Sequence, residues 1–207
     1  GADRRSVSDL RIVVVRHGRT AANVGGLLLG RADPPLDDVG TRQASSLAAA
    51  CASLDVARVV TSPLGRCRQT ADVIAAARPT PVSVDVDDRW IELDYGELDG
   101  RPPSDVPAAT WAAWRSDVTW SPPAGQSLAA LRARLRAACE SLVGEATARD
   151  VVVVSHVSPI KAAVAWTLGV GDDVAWRMWV APASITRIAL AGRTPSLRAF
   201  NELAHLG

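Results

Sequence analysis

Residues 150–159 read Asp-Val-Val-Val-Val-Ser-His-Val-Ser-Pro, a run of valines that ends in a polar turn. A similar run, Leu10–Val15, directly precedes Arg16 and His17, and a third covers Val56–Thr61. Near-continuous β-branched runs predict strands that are buried on both faces. We therefore expect an α/β fold in which a mostly parallel sheet carries helices on both faces.

Apolar residues at helical spacing predict four helices. They cover about residues 37–54, 62–75, 128–142 and 160–168. Asp37 is the predicted N-cap of the first helix. The pairs Ser62-Pro63 and Ser158-Pro159 predict Ser at the N-cap and Pro at N1 of two others. Both of these helix N-termini should then direct free N–H groups toward the carboxyl edge of the sheet.

The remaining segments are less regular. Residues 1–9 are expected to be a loose leader, and 10–207 a single domain. Residues 96–126 are rich in Pro and Trp and are predicted to form a lid with a short helix at about 105–117. Alternating apolar positions in 173–203 predict closing strands. On the helix at 128–142, three arginines are predicted to face outward: Arg132, Arg134 and Arg136.

Composition excludes several classes of protein. The chain has 207 residues, 48% of them hydrophobic and 22% charged, which is typical of a globular protein and not of a disordered one. Its net charge of +1 provides no basic field for nucleic acid or a membrane surface. No apolar run approaches the roughly 20 residues of a membrane span, and no signal peptide is evident, so we expect a cytoplasmic protein.

Three cysteines, an odd number without Cys-x-x-Cys spacing, are predicted to be buried reduced thiols: Cys51, Cys67 and Cys139.

The candidate site comes from polar residues that follow the predicted strands. His17 and His156 each follow a valine-rich strand, and Arg16 adjoins His17. Arg66 lies in the first turn of the helix after the third strand, and Glu92 follows a further strand-like stretch. Ligands of open parallel sheets bind beyond the carboxyl ends of the strands. The imidazoles, guanidiniums and helix N-termini therefore predict a pocket for a dianionic tetrahedral group.

Such a pocket is suited to phosphoryl transfer. A neutral imidazole is a nucleophile near neutral pH, and one carboxyl can protonate a leaving oxygen and later deprotonate a water. Each residue alone is more often structural, and the hypothesis depends on their convergence. His205, near the C-terminal end of the sequence, is assigned a structural role. The histidines lack His-x-His or Glu-x-x-His spacing, so no metal site is predicted.

Arg16-His17-Gly18, with Thr20 and Asn23, resembles the opening signature of the histidine phosphatase superfamily, also called phosphoglycerate mutase-like. Later segments are similar to further motifs of that family, in the family's order: Pro35–Ala44, Ser62–Ala71, Ile91–Gly100 and Val154–His156. The resemblance is greatest to the phosphatase branch of actinobacterial acid phosphatases and α-ribazole phosphatase-like proteins.

The resemblance implies a role for each candidate residue. His17 would be the nucleophile that becomes phosphorylated, and Glu92 the general acid and then the general base. Three residues would hold the phosphoryl oxygens, with Asn23 as an additional contact: Arg16, Arg66 and His156. The substrate would be a small-molecule phosphomonoester, and no cofactor or metal ion is expected.

Four departures from the family pattern concern its specificity. Arg19 stands where many members have Glu or Gln, and Gln126 replaces a Glu. Leu98-Asp99-Gly100 replaces Trp-Glu-Gly, and Val157–Lys161 replaces a Gly-rich segment. The physiological substrate is therefore left open.

The stretch between Glu92 and His156 is short, which favours a phosphatase over a mutase, because a mutase must exclude water from its phosphohistidine. Mutase-type transfer and a catalytically silent phosphate-binding protein are kept as alternatives. Three tryptophans of the predicted lid, Trp111, Trp114 and Trp120, could pack in the core or form an apolar wall for an organic leaving group. Both a monomer and a homodimer are compatible with the sequence.

Overall fold

The computed structural model describes residues 10–144, 149–191 and 194–207, so the predicted leader lies outside the described residues. In chain order the strands are β1 (Leu10–Arg16), β2 (Val56–Thr61), β3 (Ser83–Val86), β4 (Asp150–Ser155), β5 (Ile185–Ala191) and β6 (Thr194–Glu202). The α-helices are α1 (Ala21–Val24), α2 (Asp38–Cys51), α3 (Gly65–Ala76), α4 (Ala108–Ser116), α5 (Leu128–Gly144) and α6 (Val157–Leu168). Short 3₁₀ helices connect several of these elements.

The strands form one sheet in the order β3-β2-β4-β1-β5-β6. The first four are mutually parallel, whereas β5 is antiparallel to both β1 and β6. The prediction of a mostly parallel sheet is confirmed. The valine run of β4 is buried at every position because that strand lies inside the sheet.

Helices cover both faces of the sheet, as predicted. Val14 and Val153 pack on one face in a core that includes residues of α4, α5 and α6. Val13 and Val154 pack on the other face against residues of α2 and α3. The three cysteines are buried and free, as expected. None of the helices in the described part of the chain combines the length and hydropathy needed to cross a membrane.

The predicted start of α3 is wrong. The helix begins at Gly65 with Leu64 as its N-cap residue, and the Ser62 hydroxyl contacts His156 Nε2 at 2.7 Å. Asp33, from a distant loop, caps the helix by accepting the Gly65 N–H at 2.6 Å. The N-terminus of α3 is thus satisfied by a carboxylate of the protein itself.

The predicted start of α6 is also wrong. His156 is its N-cap residue, and Ser158 lies within the first turn. The Ser158 N–H donates to the Glu92 carboxylate, at 3.2 Å from Oε1. This N–H, too, is used by a protein carboxylate and is not a free anion-binding group.

Two further predictions need correction. The first half of the tail is a 3₁₀ helix, Asp172–Arg177, rather than a strand, because Trp176 packs against the tryptophans of α4. Arg134 is half-buried and bonds to the carbonyl of Glu92, so it does not face outward. The short helix of segment 96–126 is present as α4.

Candidate active site

The two histidines of the site occupy equivalent places at the ends of neighbouring strands. Arg16 ends β1, Ser155 ends β4, and these residues are partners in the parallel register. His17 and His156 are the residues that directly follow these two strand ends, so the parallel pairing of the strands brings them together. Their rings meet edge to face with centroids 5.1 Å apart.

His17 is held in one tautomer. Its Nδ1 lies 2.7 Å from the carbonyl oxygen of Gly18, which can only accept, so Nδ1 carries the proton. Nε2 is left with a lone pair, and the Nε of Arg66 donates to it at 3.3 Å. Burial lowers the pKa of His17 well below 6.5, and the charges of Arg16 and Arg66 lower it further. The imidazole is therefore neutral at neutral pH.

His156 is fully buried beside it. Burial, followed by the proximity of His17, lowers the pKa of His156 well below 6.5, so this ring is also neutral. Its Nε2 has two close neighbours, the hydroxyl of Ser62 and the sulfur of Cys67 at 3.3 Å. Burial raises the pKa of the Cys67 thiol, which keeps the sulfur uncharged.

Arg66 is fully buried in the first turn of α3. Its guanidinium donates to the carbonyls of Ala32 at 2.7 Å and Gly30 at 3.0 Å, and it pairs with Asp33 at 3.3 Å. These bonds fix the Nε–H toward His17.

Asp99, which the sequence did not indicate as part of the site, anchors the same loop. Its carboxylate accepts three consecutive backbone N–H groups, from Gly30, Arg31 and Ala32, at 2.7 to 2.8 Å. The loop carbonyls that hold Arg66 are therefore positioned by Asp99.

Arg16 supplies a second guanidinium. One terminal nitrogen donates to the carbonyl of Val180 at 2.7 Å. Its Nε is buried and has no acceptor in the described part of the chain. Burial lowers the pKa of Arg16 to about 10, so it remains charged at neutral pH and has a donor free for an anion.

Glu92 is 3% exposed and is held from two sides. Its carboxylate accepts the N–H groups of Leu93, at 2.6 Å, and Ser158. Arg134 donates to its backbone carbonyl at 3.0 Å and to the side chain of Gln126 at 3.1 Å. Sequence reasoning noted Gln126 but missed Arg134, which lies between Leu131 and Leu135, two buried positions of the apolar stripe of α5.

A cavity opens in front of these groups. Four of the predicted site residues line it: Arg16, His17, Asn23 and Glu92. Arg66 contacts His17 from α3, and His156 contacts it from the start of α6. The side-chain oxygen Oδ1 of Asn23 accepts the Thr20 N–H at 3.0 Å, which leaves the side-chain nitrogen Nδ2 as the group that can donate.

The structure thus brings together the six predicted residues. His205 lies elsewhere and contacts the carbonyl of Ala183 at 2.9 Å, in keeping with a structural role. Within the described ranges, no group of three or more His, Cys, Asp or Glu side chains is placed to hold a metal ion.

Comparison with known proteins identifies the family. The model of the histidine phosphatase superfamily (branch 1) matches residues 12–203. A protein of Mycobacterium tuberculosis named as bifunctional is 31% identical in an alignment 201 residues long, which covers 95% of this chain but only 55% of that protein's length.

Two further relatives are of similar length to this chain. A glucosyl-3-phosphoglycerate phosphatase of Mycolicibacterium vanbaalenii is 32% identical, with 89% of this chain and 85% of the relative covered. A probable phosphoglycerate mutase of Yersinia enterocolitica is 32% identical, with 86% and 84% covered.

A solved mycobacterial glucosyl-3-phosphoglycerate phosphatase, in complex with VO3, is similar in structure. It has a TM-score of 0.84 at 28% identity, and the match covers 94% of this chain and 100% of that one. The named relatives of this chain thus include phosphatases and a probable mutase.

Proposed function

The chain belongs to the histidine phosphatase superfamily, branch 1, and on that premise we propose that it hydrolyses phosphomonoesters through a phosphohistidine on His17. The observation that carries this proposal is the tautomer of His17. The Gly18 carbonyl holds the proton on Nδ1, so the Nε2 lone pair is free to form a bond to phosphorus. The bond from Arg66 is long, and an incoming phosphoryl oxygen can replace Nε2 as its acceptor.

In the first step, the Nε2 lone pair of His17 forms the N–P bond while the bond from phosphorus to the ester oxygen breaks. The leaving oxygen takes the electron pair of that bond and receives the proton of Glu92. The alcohol departs, and Glu92 is left as a carboxylate.

In the second step, a water oxygen attacks phosphorus and Glu92 accepts a proton from that water. The N–P bond breaks, and its electrons return to Nε2. Phosphate leaves, so His17 is again neutral and Glu92 is again protonated.

Charge on the transferring group is stabilised by arginine instead of a metal ion. The unpaired Nε of Arg16 and the fixed Nε of Arg66 supply donors, and the amide of Asn23 supplies a third. His156 holds a further oxygen through a ring nitrogen. A preorganised donor of this kind contributes about 3–4 kcal/mol to stabilising a developing oxyanion.

The test is release of phosphate from phenyl phosphate in EDTA by the native chain, His17→Ala and a control, His205→Ala. We expect turnover by the native chain and the control and none by His17→Ala. Quenching in alkali, in which phosphohistidine survives, should trap labelled phosphate on the native chain and the control but not on His17→Ala. Activity in His17→Ala, or activity that EDTA abolishes and a metal ion restores, would contradict the mechanism.

Mutase-type transfer is the second candidate, supported by the relative named a probable phosphoglycerate mutase. The phosphohistidine would then pass its phosphoryl group to an alcohol instead of water. Phosphorus NMR of a reaction with 3-phosphoglycerate separates the two, because a mutase produces 2-phosphoglycerate and a phosphatase produces inorganic phosphate.

A further inference from the structure

A second cavity, of about 170 Å³, adjoins the candidate site. The two cavities share three lining residues, Leu28, Tyr95 and Val157. A monoester whose phosphoryl group lies at His17 therefore has a place for its leaving group next to the reacting bond. The inference that follows rests on the proposed function.

The walls of this cavity are mainly apolar and aromatic. Trp111 and Trp114 stack with ring centroids 5.6 Å apart, and Trp176 meets both edge to face. An apolar cavity of about 150 Å³ is large enough to bind benzene. One six-membered ring therefore matches the space, and the flat walls favour an aromatic ring.

One of the lining side chains carries a positive charge. Lys161, the single lysine of the sequence, lines the cavity. Its Nζ donates to the neutral carbonyl of Ala175 at 2.9 Å, which uses one of its three donors.

Lys161 has no carboxylate within ion-pair distance among the described residues. The carboxylate that shares the cavity wall, Asp172, is paired with Arg132 at 3.1 Å. A half-buried ammonium beside an apolar wall is stabilised by an anion, and no described residue supplies one within pairing distance.

We propose that this cavity binds the leaving group of the substrate, and that the leaving group is a single aromatic ring with a carboxylate that pairs with Lys161. The ring packs against the wall that Trp111, Trp114 and Trp176 form. The carboxylate oxygens accept from Nζ of Lys161.

Binding of the leaving group can be measured without catalysis. Calorimetry would compare the binding of 4-hydroxybenzoate with that of its neutral isostere 4-hydroxybenzamide, and would repeat the comparison with the 3-hydroxy pair. The proteins tested are the native chain, Lys161→Met and His17→Ala. We expect one of the two hydroxybenzoates to bind the native chain and His17→Ala about tenfold more tightly than the corresponding amide does. That ratio is the effect expected of one charged hydrogen bond. Lys161→Met should remove the preference, with an unchanged thermal midpoint to show that it folds.

Kinetics supply the second measurement. The corresponding carboxyphenyl phosphate should have a higher kcat/KM than the carbamoylphenyl phosphate, although the amide substituent makes the phenol a better leaving group. Equal binding of acid and amide by the native chain would overturn the proposal, whether or not either ester is hydrolysed. Preferential binding of the acid without hydrolysis of any ester would instead leave the subsite in place and refute the proposed function.

Discussion

His17 and His156 meet edge to face with ring centroids 5.1 Å apart, and both rings are neutral and buried. Burial is the largest reason that the pKa of each lies well below 6.5. Two adjacent neutral imidazoles tie the stability of the fold to pH, because only the unfolded chain can take up protons on them near neutrality.

We predict that the free energy of unfolding falls as the pH drops below 6.5. Between this unfolded pKa and the lower folded one, the unfolded state binds more protons, so acid favours unfolding. Each histidine contributes a slope of about 1.4 kcal/mol per pH unit. Urea denaturation at several pH values measures the slope. His17→Gln should lose about half of the histidine contribution, and an unchanged slope in that variant would contradict the burial argument.

The rate of hydrolysis should peak on the acidic side of neutral. The proposed mechanism needs neutral His17 and protonated Glu92. Because burial and the charges of Arg16 and Arg66 lower the pKa of His17, the nucleophile stays neutral in mild acid. A step that depends on a proton donor slows as the pH rises, so the rate should fall in alkali. The profile of kcat/KM against pH measures this, and a flat profile from about pH 5 to 9 would exclude the assignment.

The sheet and the site could be predicted because their signals are local. Valine runs show which strands are buried on both faces, and a polar residue directly after such a strand must lie at the carboxyl edge. This places His17 and His156 without knowledge of any contact. Arg66 could be placed at the same edge from its position in the helix that follows β2.

Other parts of the site depend on residues that are distant in the sequence. Asp33 replaces the predicted Ser62 cap across a separation of 32 residues, and Asp99 anchors Gly30 from 69 residues away. Arg134 reaches Glu92 across 42 residues. No local pattern marks an aspartate or arginine whose partner is a backbone group of another loop, so these roles became visible only in three dimensions.

Asp99 should control the rate through Arg66. In Asp99→Asn, an amide replaces the carboxylate that accepts the N–H groups of Gly30, Arg31 and Ala32, which loosens the carbonyls that hold Arg66. Loss of charged hydrogen bonds of this kind costs about 1.5–3 kcal/mol. We expect kcat to fall at least tenfold with a smaller change in KM.

A matched control is Asp117→Asn, since Asp117 accepts the Thr119 N–H at 2.8 Å within its own turn. Asp99→Glu, which keeps the charge, should restore part of the rate. Steady-state kinetics on phenyl phosphate measure all three variants. Equal kcat in Asp99→Asn and Asp117→Asn would show that the loop does not position Arg66.

Gly18 and Gly40 should tolerate no side chain, because the turn that carries His17 packs directly on the start of α2. A Cβ on Gly18 would lie 2.4 Å from the carbonyl oxygen of Gly40, and a Cβ on Gly40 would lie 2.0 Å from that of Arg19. Both clashes are with backbone, which cannot move without shifting the N-terminal turn of α2 or the nucleophile.

Gly40→Ala should therefore lower the free energy of unfolding by about 1–3 kcal/mol and reduce kcat as well. Gly144→Ala is the control, since a Cβ there meets none of the described residues within 4 Å and Ala favours the helix, so stability should hold or rise by up to about 1 kcal/mol. Urea denaturation of the two variants tests the argument, and equal stability would mean that the contact between the two turns is looser than the structure shows.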